Sequence, residues 1–335
     1  MTGPTTGPTT GPLRFALVGA GEMGRHHARV LATTPGIAFV AVTDIHMPTA
    51  QRIAAQTGAV AYSDAAHMFD EKNIDAVCIA VPTSTHLDVV RSAVAHGAHM
   101  LIEKPLADSV TAARQILDMA ASAPSRLLVS VGHIERFNPA IVSLRKCLAN
   151  DELGHIYHFD ARRWNPAPKR IFDVGIVLDS TVHDLDLVRH LGGVEPTSVF
   201  AATSHHQNSK RENMLLATLQ LSNGATASLS TNWLSPIKTR ELHVIGARGS
   251  FIADLIAKTL HRCAPGSSHS TLVSQQSADT EPLRAEIDAF VSAVRGERPL
   301  SVTGYDGLRA VELAHALLLS AAEHRTIDLM TAYPQ

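Results

Sequence analysis

The chain has 335 residues, enough for two domains, and its 45% hydrophobic and 18% charged residues exclude wholesale disorder. Its 29 Lys and Arg are outnumbered by 31 Asp and Glu, leaving a formal charge of −2. No basic excess is available to neutralise a phosphate backbone, so nucleic acid is not an expected partner.

Residues 1–12 repeat Thr, Gly and Pro with no apolar residue after Met1. They read as a flexible tail outside the fold, without the apolar centre of a signal peptide. From Leu13 short apolar runs alternate with amphipathic stretches. The runs are Arg14–Val18, Ala38–Thr43, Ala76–Val81, His99–Ile102 and Leu127–Val131. Between them Glu22–Ala32, Thr49–Gln56, Leu87–Ala95 and Val110–Ala120 have helical spacing. Alternation of this kind predicts βαβ units and a parallel sheet over residues 13–132.

The first strand runs into Gly19-Ala20-Gly21-Glu22-Met23-Gly24, a G-x-G-x-x-G string placed between a strand and a helix. Gly19 permits the tight turn, Gly21 lets backbone approach a pyrophosphate, and Gly24 lets helix and strand pack closely. Asp44 stands twenty residues after Gly24 at the end of the second strand. A carboxylate there accepts from a ribose 2′-hydroxyl and repels a 2′-phosphate, which favours NAD over NADP. This is the pattern of a Rossmann domain. Two further loops lie at carboxyl ends of strands, where ligands bind in such a sheet. The first holds Pro82, Thr83 and His86, with Thr83 open to either a helix-capping or a cofactor role. The second is Glu103-Lys104-Pro105, whose lysine is placed to polarise a substrate hydroxyl.

After Gly132 the pattern changes. His155–Trp164, Thr197–His205, Met214–Ser222, Ala225–Trp233 and Glu241–Ile245 read as longer strands, several of them alternating. Asn223-Gly224 signals a two-residue hairpin. These features predict an α+β domain over 133–335 with an open-faced, mostly antiparallel sheet. Leu283–Arg295 and Tyr305–Ala322 read as helices, and the Ser- and Thr-rich stretch 264–282 as an exposed loop. The open face makes a homodimer or homotetramer the expected assembly.

Within this domain Asp179 and His183 are four apart, so a helix places them on one face, with Asp186 nearly on it. A carboxylate beside an imidazole fixes its tautomer and makes it a competent proton acceptor. Capping aspartates with an incidental histidine is the alternative. A metal reading on His183, Asp184 and Asp186 needs further ligands on an all-helical scaffold, so no metal is expected.

The glycine loop, Asp44, Glu103-Lys104-Pro105 and the Asp179-x-x-x-His183-Asp184-x-Asp186 string together resemble the Gfo/Idh/MocA family of NAD(P)-dependent oxidoreductases. The resemblance implies that Lys104, Asp179 and His183 are the catalytic group. It also implies that Gly19, Gly21, Glu22, Met23, Gly24, Asp44, Pro82, Thr83, His86, Glu103 and Lys104 face the cofactor. The stretches Val131–Pro139 and Lys169–Gly175 are similar to the family branch acting on UDP-sugars. That likeness implies oxidation of the 3-hydroxyl of UDP-N-acetylglucosamine for a partner aminotransferase in amino-sugar and lipid A synthesis. Arg136, Asn138, Arg163 and Arg170 are then the candidate substrate residues, the arginines supplying charge for a diphosphate or else serving structure. Ser180-Thr181 departs from the bulkier apolar residue expected beside the catalytic aspartate. Alternatives are a dehydrogenase of myo-inositol or another free polyol, and a non-catalytic NAD-sensing protein. Cys78, Cys147 and Cys263 form neither a disulfide framework nor a metal-ligand pattern, and no apolar run reaches the ~18 residues of a membrane span. A cytoplasmic location is therefore expected.

Overall fold

A computed structural model of the chain describes residues 11–167, 173–206, 211–267, 269–275 and 281–333. The expected tail lies almost wholly outside them, as does Arg170. The described chain forms two compact units. The first runs to Gly132 and also takes Leu283–Leu308; the second comprises His133–Pro282 and the chain from Arg309 onward.

The first unit contains β1 (Leu13–Val18), α1 (Glu22–Thr33), β2 (Ile37–Thr43), α2 (Met47–Thr57), β3 (Val60–Tyr62) and α3 (Ala65–Glu71). It continues with β4 (Ala76–Ile79), α4 (His86–Ala95), β5 (His99–Ile102), α5 (Val110–Ala121) and β6 (Val129–Val131). All adjacent strands pair in parallel, in the order β3-β2-β1-β4-β5-β6. β4, Ala-Val-Cys-Ile, is buried along its whole length, as strands covered on both faces must be. The strand order reverses between β1 and β4, the switch point at which such sheets open a ligand crevice.

The second unit holds α6 (Pro139–Ala149), β7 (Ile156–Trp164), α7 (Val182–Gly192), β8 (Pro196–Ser204), β9 (Met214–Leu221), β10 (Thr226–Asn232) and β11 (Thr239–Gly246). β12 (Gly249–Asp254), β13 (Thr259–Cys263), β14 (Thr271–Gln275) and β15 (Ile327–Asp328) complete a nine-stranded sheet. Its pairs are antiparallel except β7–β10. Phe159, Ala161, Leu229, Leu242, Val244 and Phe251 face the core with Leu185 and Val188 of α7.

Three expectations need correction. The helix α8 (Pro282–Val294) belongs to the first unit rather than to a single 133–335 domain. Phe290 packs edge-on against Phe15 of β1, and Arg295 donates to the Gly36 carbonyl. The helix α9 (Gly304–Glu323) contributes its start to the first unit and the remainder to the second. The stretch read as a loop contains β14, an exposed edge strand paired to β13, whose Leu272 and Val273 were masked by Ser- and Thr-rich surroundings. Finally, the Asn223-Gly224 hairpin has three loop residues, not two. Only Gly224 takes positive φ (+87°), and its N–H donates to the Leu221 carbonyl, the pattern of a type I turn closed by a left-handed glycine.

Candidate active site

In the first unit, β1 ends at Val18 and the chain turns at Gly19, which has φ +96°. A Cβ at Gly19 would strike the Ala80 carbonyl, and one at Gly24 would strike the Gly19 carbonyl. Both positions admit glycine alone. A Cβ at Gly21 would meet nothing within 4 Å, so the space over the loop is open. No side chain caps α1, which leaves its first N–H groups to an anion; Glu22 and Met23 form its first residues. Asp44 braces the loop, accepting from the N–H groups of Ala20 and His46, each at 2.8 Å. A carboxylate has about four acceptor positions, so these bonds fix its direction and leave capacity for ribose hydroxyls. The cradle thus fits a dinucleotide.

Pro82 is exposed, and Thr83 opens a short 3₁₀ turn (Thr83–Thr85) in which no side chain caps a helix. His86 departs from its expected place. Its ring is buried, with Nδ1 3.1 Å from the Leu106 carbonyl and Nε2 3.2 Å from that of Val81, so it ties two loops together from within.

Glu103 is likewise engaged by the protein. Its Oε1 lies 2.7 Å from Nε2 of the fully buried His27, and its Oε2 accepts the Lys104 N–H at 3.1 Å. Burial opposes charge on both side chains, yet each offsets that cost for the other, together with Cys78 at the imidazole and Lys104 at the carboxylate. His27 is held well above, and Glu103 below, its ordinary value. The ion pair anchors the base of the turn carrying Lys104 to α1. His27 was legible only as a polar residue on the buried Gly24–Ala28–Leu31 stripe.

Behind this pair lies Glu286 of α8, 2% exposed, with neither carboxyl oxygen hydrogen-bonded among the described residues. Burial, reinforced by the negative Glu103, pushes it up to about 8. An acid whose folded value is raised stabilises the fold most below its unfolded value and loses that contribution as pH rises to its folded value. Thermal melts of Glu286→Gln and wild type should therefore diverge between about pH 5 and 8. By pH 8.5 the variant should be the more stable, by an amount on the order of a few kcal/mol. A difference independent of pH would contradict this.

In the second unit the segment before α7 is not α-helical. Val177–Thr181 forms a π turn, a form that recurs at functional sites. Glu212 holds its start, its carbonyl accepting the Ile176 N–H and its Oε1 the Val177 N–H; a Cβ at Gly175 would collide with the Glu212 carboxyl group. From Val174 to Arg189 every residue is buried except Asp179 and His183. The wider π turn still returns residues four apart to nearly the same side, so these two form a partly exposed acid–imidazole stripe on a buried segment. The Ser180 hydroxyl donates to Asp179 Oδ2 at 2.9 Å, so this unexpected serine fixes one oxygen of the carboxylate.

Asp186 does not join that face. It is 1% exposed and takes a two-pronged bond from Arg136, at 2.6 and 2.8 Å. Asp184 is also buried, bonded by Arg163 Nη2 at 2.8 Å and Nε at 3.1 Å, while Arg163 Nη1 reaches Glu135 at 3.1 Å. Burial opposes the Arg163 charge, but these carboxylates outweigh it and hold the guanidinium above its ordinary value. Asn138 caps α6 through the Ala140 N–H and donates to Glu135 and the Leu255 carbonyl. Arg136, Arg163 and Asn138 are thus engaged by the scaffold, the structural alternative left open for the arginines. Sequence reasoning passed over Lys238 and Arg240, which lie beside this network.

Among the described residues no helix is long and apolar enough to cross a membrane. Residues 13–133 match a family model described as an oxidoreductase family NAD-binding Rossmann fold. Residues 145–329 match the C-terminal alpha/beta domain of the same oxidoreductase family. The chain is 30% identical over 308 residues to a UDP-N-acetylglucosamine 3-dehydrogenase of Acidithiobacillus ferrooxidans, covering 90% of this chain and 95% of the relative. A solved structure of that Acidithiobacillus ferrooxidans dehydrogenase superimposes with a TM-score of 0.84 at 29% identity, covering 93% of this chain and 99% of the other. An inositol 2-dehydrogenase of Rhizobium meliloti is 28% identical over 334 residues, covering 95% of this chain and 99% of its own. With both domain models matched in order, the chain belongs to the Gfo/Idh/MocA family of NAD-binding oxidoreductases.

Proposed function

We propose that the protein is an NAD-dependent dehydrogenase that oxidises the 3-hydroxyl of a UDP-sugar, converting UDP-N-acetylglucosamine to its 3-keto form. The observation that carries the chemistry is the Asp179–His183 stripe, the sole break in a buried segment. His183 takes the hydroxyl proton, Asp179 orients the imidazole, and Ser180 orients Asp179. Lys104, held by the Glu103–His27 anchor, supplies positive charge to the developing alkoxide. NAD, when bound, supplies the hydride acceptor, with the Gly19–Gly24 loop holding its pyrophosphate and Asp44 its ribose. Retention of Lys104, Asp179 and His183 together argues against a purely NAD-sensing role.

The similarity to UDP-N-acetylglucosamine 3-dehydrogenase supports the choice of substrate. The product then feeds a partner aminotransferase in amino-sugar and lipid A synthesis, in the cytoplasm. A homodimer or homotetramer would cover the outer sheet face, where Phe200, Leu216 and Ile245 are exposed. A second reading, oxidation of a free polyol, is favoured by inositol dehydrogenases at comparable identity and by the engagement of Arg136 and Arg163 with carboxylates. Substrate profiling at 340 nm separates the two. Turnover with UDP-N-acetylglucosamine, enhanced by an aminotransferase and amino donor, is expected. Turnover with myo-inositol and none with UDP-sugars would overturn the nucleotide-sugar reading.

A further inference from the structure

Strand pairing places Arg240 of β11 directly opposite Arg163 of β7. Like charges facing each other across a ladder destabilise a sheet unless an anion lies between them. One anion, Glu135, does lie between them, but it is shared. Asp184 is forked by Arg163, and Glu135 is bonded by Arg163 and Asn138. Arg240 reaches Glu135 only at 3.6 Å, too long for a hydrogen bond. Its Nε is buried without a partner among the described residues, although its side chain is 35% exposed. A buried donor left unsatisfied calls for an unseen acceptor.

The exposed Lys238, two residues earlier, adds to the positive field. Arg240 is the main cause that lowers its ammonium value, and burial, Arg163 and Arg240 all make the charge there less favourable, with Glu135 opposing them. Asp179, of the same unit, is near enough to Arg240 to favour its charge.

We infer that Arg240 and Lys238 form an anion-binding subsite for the diphosphate of a nucleoside-diphosphate sugar, replacing the arginines engaged by the scaffold. The inference rests on the nucleotide-sugar reading. Arg240 presents a planar donor fork suited to phosphate oxygens, and Lys238 adds a compact point charge. Arg163 remains as a counter-ion for Glu135 when Arg240 is removed, so the fold survives the test.

Calorimetric titration with UDP, uridine and NAD tests the assignment on the intact protein. UDP binding should weaken ~10–100-fold in Arg240→Gln, and less in Lys238→Gln, the latter loss vanishing at high salt. Uridine and NAD binding should be unchanged in both variants, which also reports that the variants are folded. If wild type and both variants bind UDP equally, the subsite is wrong while the nucleotide-sugar reading stands. If wild-type protein binds no UDP and oxidises myo-inositol, that reading fails and takes the subsite with it.

Discussion

His183→Ala should lose ~10²–10⁴-fold in kcat while its affinity for NAD stays at the wild-type value. The two measurements part because His183 belongs to the second unit, whereas the glycine cradle belongs to the first. The side chain is partly exposed on a segment whose other residues carry the packing, so its truncation leaves the core intact. Lys104→Ala should behave similarly, since the backbone N–H bond to Glu103 survives the substitution. Ser180→Ala, which frees Asp179 to turn, should cost far less than either. Steady-state turnover beside a direct NAD titration decides the matter. Wild-type turnover in His183→Ala would remove the proposed base.

The largest loss of stability is expected at Arg163, 2% exposed and bonded to two carboxylates. Arg163→Met strands Asp184 and weakens the hold on Glu135. Breaking a buried pair in this way typically costs about 3–5 kcal/mol, chiefly through the orphaned charge rather than the lost attraction. The double variant Arg163→Met with Asp184→Leu should therefore recover part of the loss. Urea denaturation of the three proteins tests this order. A single variant as stable as wild type, or a double variant less stable than the single, would contradict it.

Local features were legible from the sequence. Gly19, Gly21 and Gly24 carry their meaning within six residues, and the turn they make is set by backbone sterics at Ala80 and Gly19. The spacing of Asp179 and His183 also survives the local change from α to π geometry. Partners far along the chain were not legible. Arg136 meets Asp186 fifty residues away, and Arg163 meets Asp184 twenty-one residues away, so the choice between ligand and scaffold stayed open in the sequence. The amphipathic pattern of α8 announced a buried face but not the sheet it covers, and Phe290 on Phe15 supplies that answer. Arg240 gave no signal alone. It gains meaning from its register opposite Arg163.

In the proposed reaction the C3 hydrogen of a UDP-sugar leaves as hydride to NAD while this chain removes the hydroxyl proton. Incubation of the protein with NAD and UDP-N-acetylglucosamine deuterated at C3, with an aminotransferase consuming the ketone, followed by mass measurement of the reduced cofactor, tests it directly. NADH one mass unit heavier than that formed from unlabelled substrate is expected. NADH of ordinary mass from the labelled sugar would mean that another carbon is oxidised, and the assignment of the 3-hydroxyl would fall.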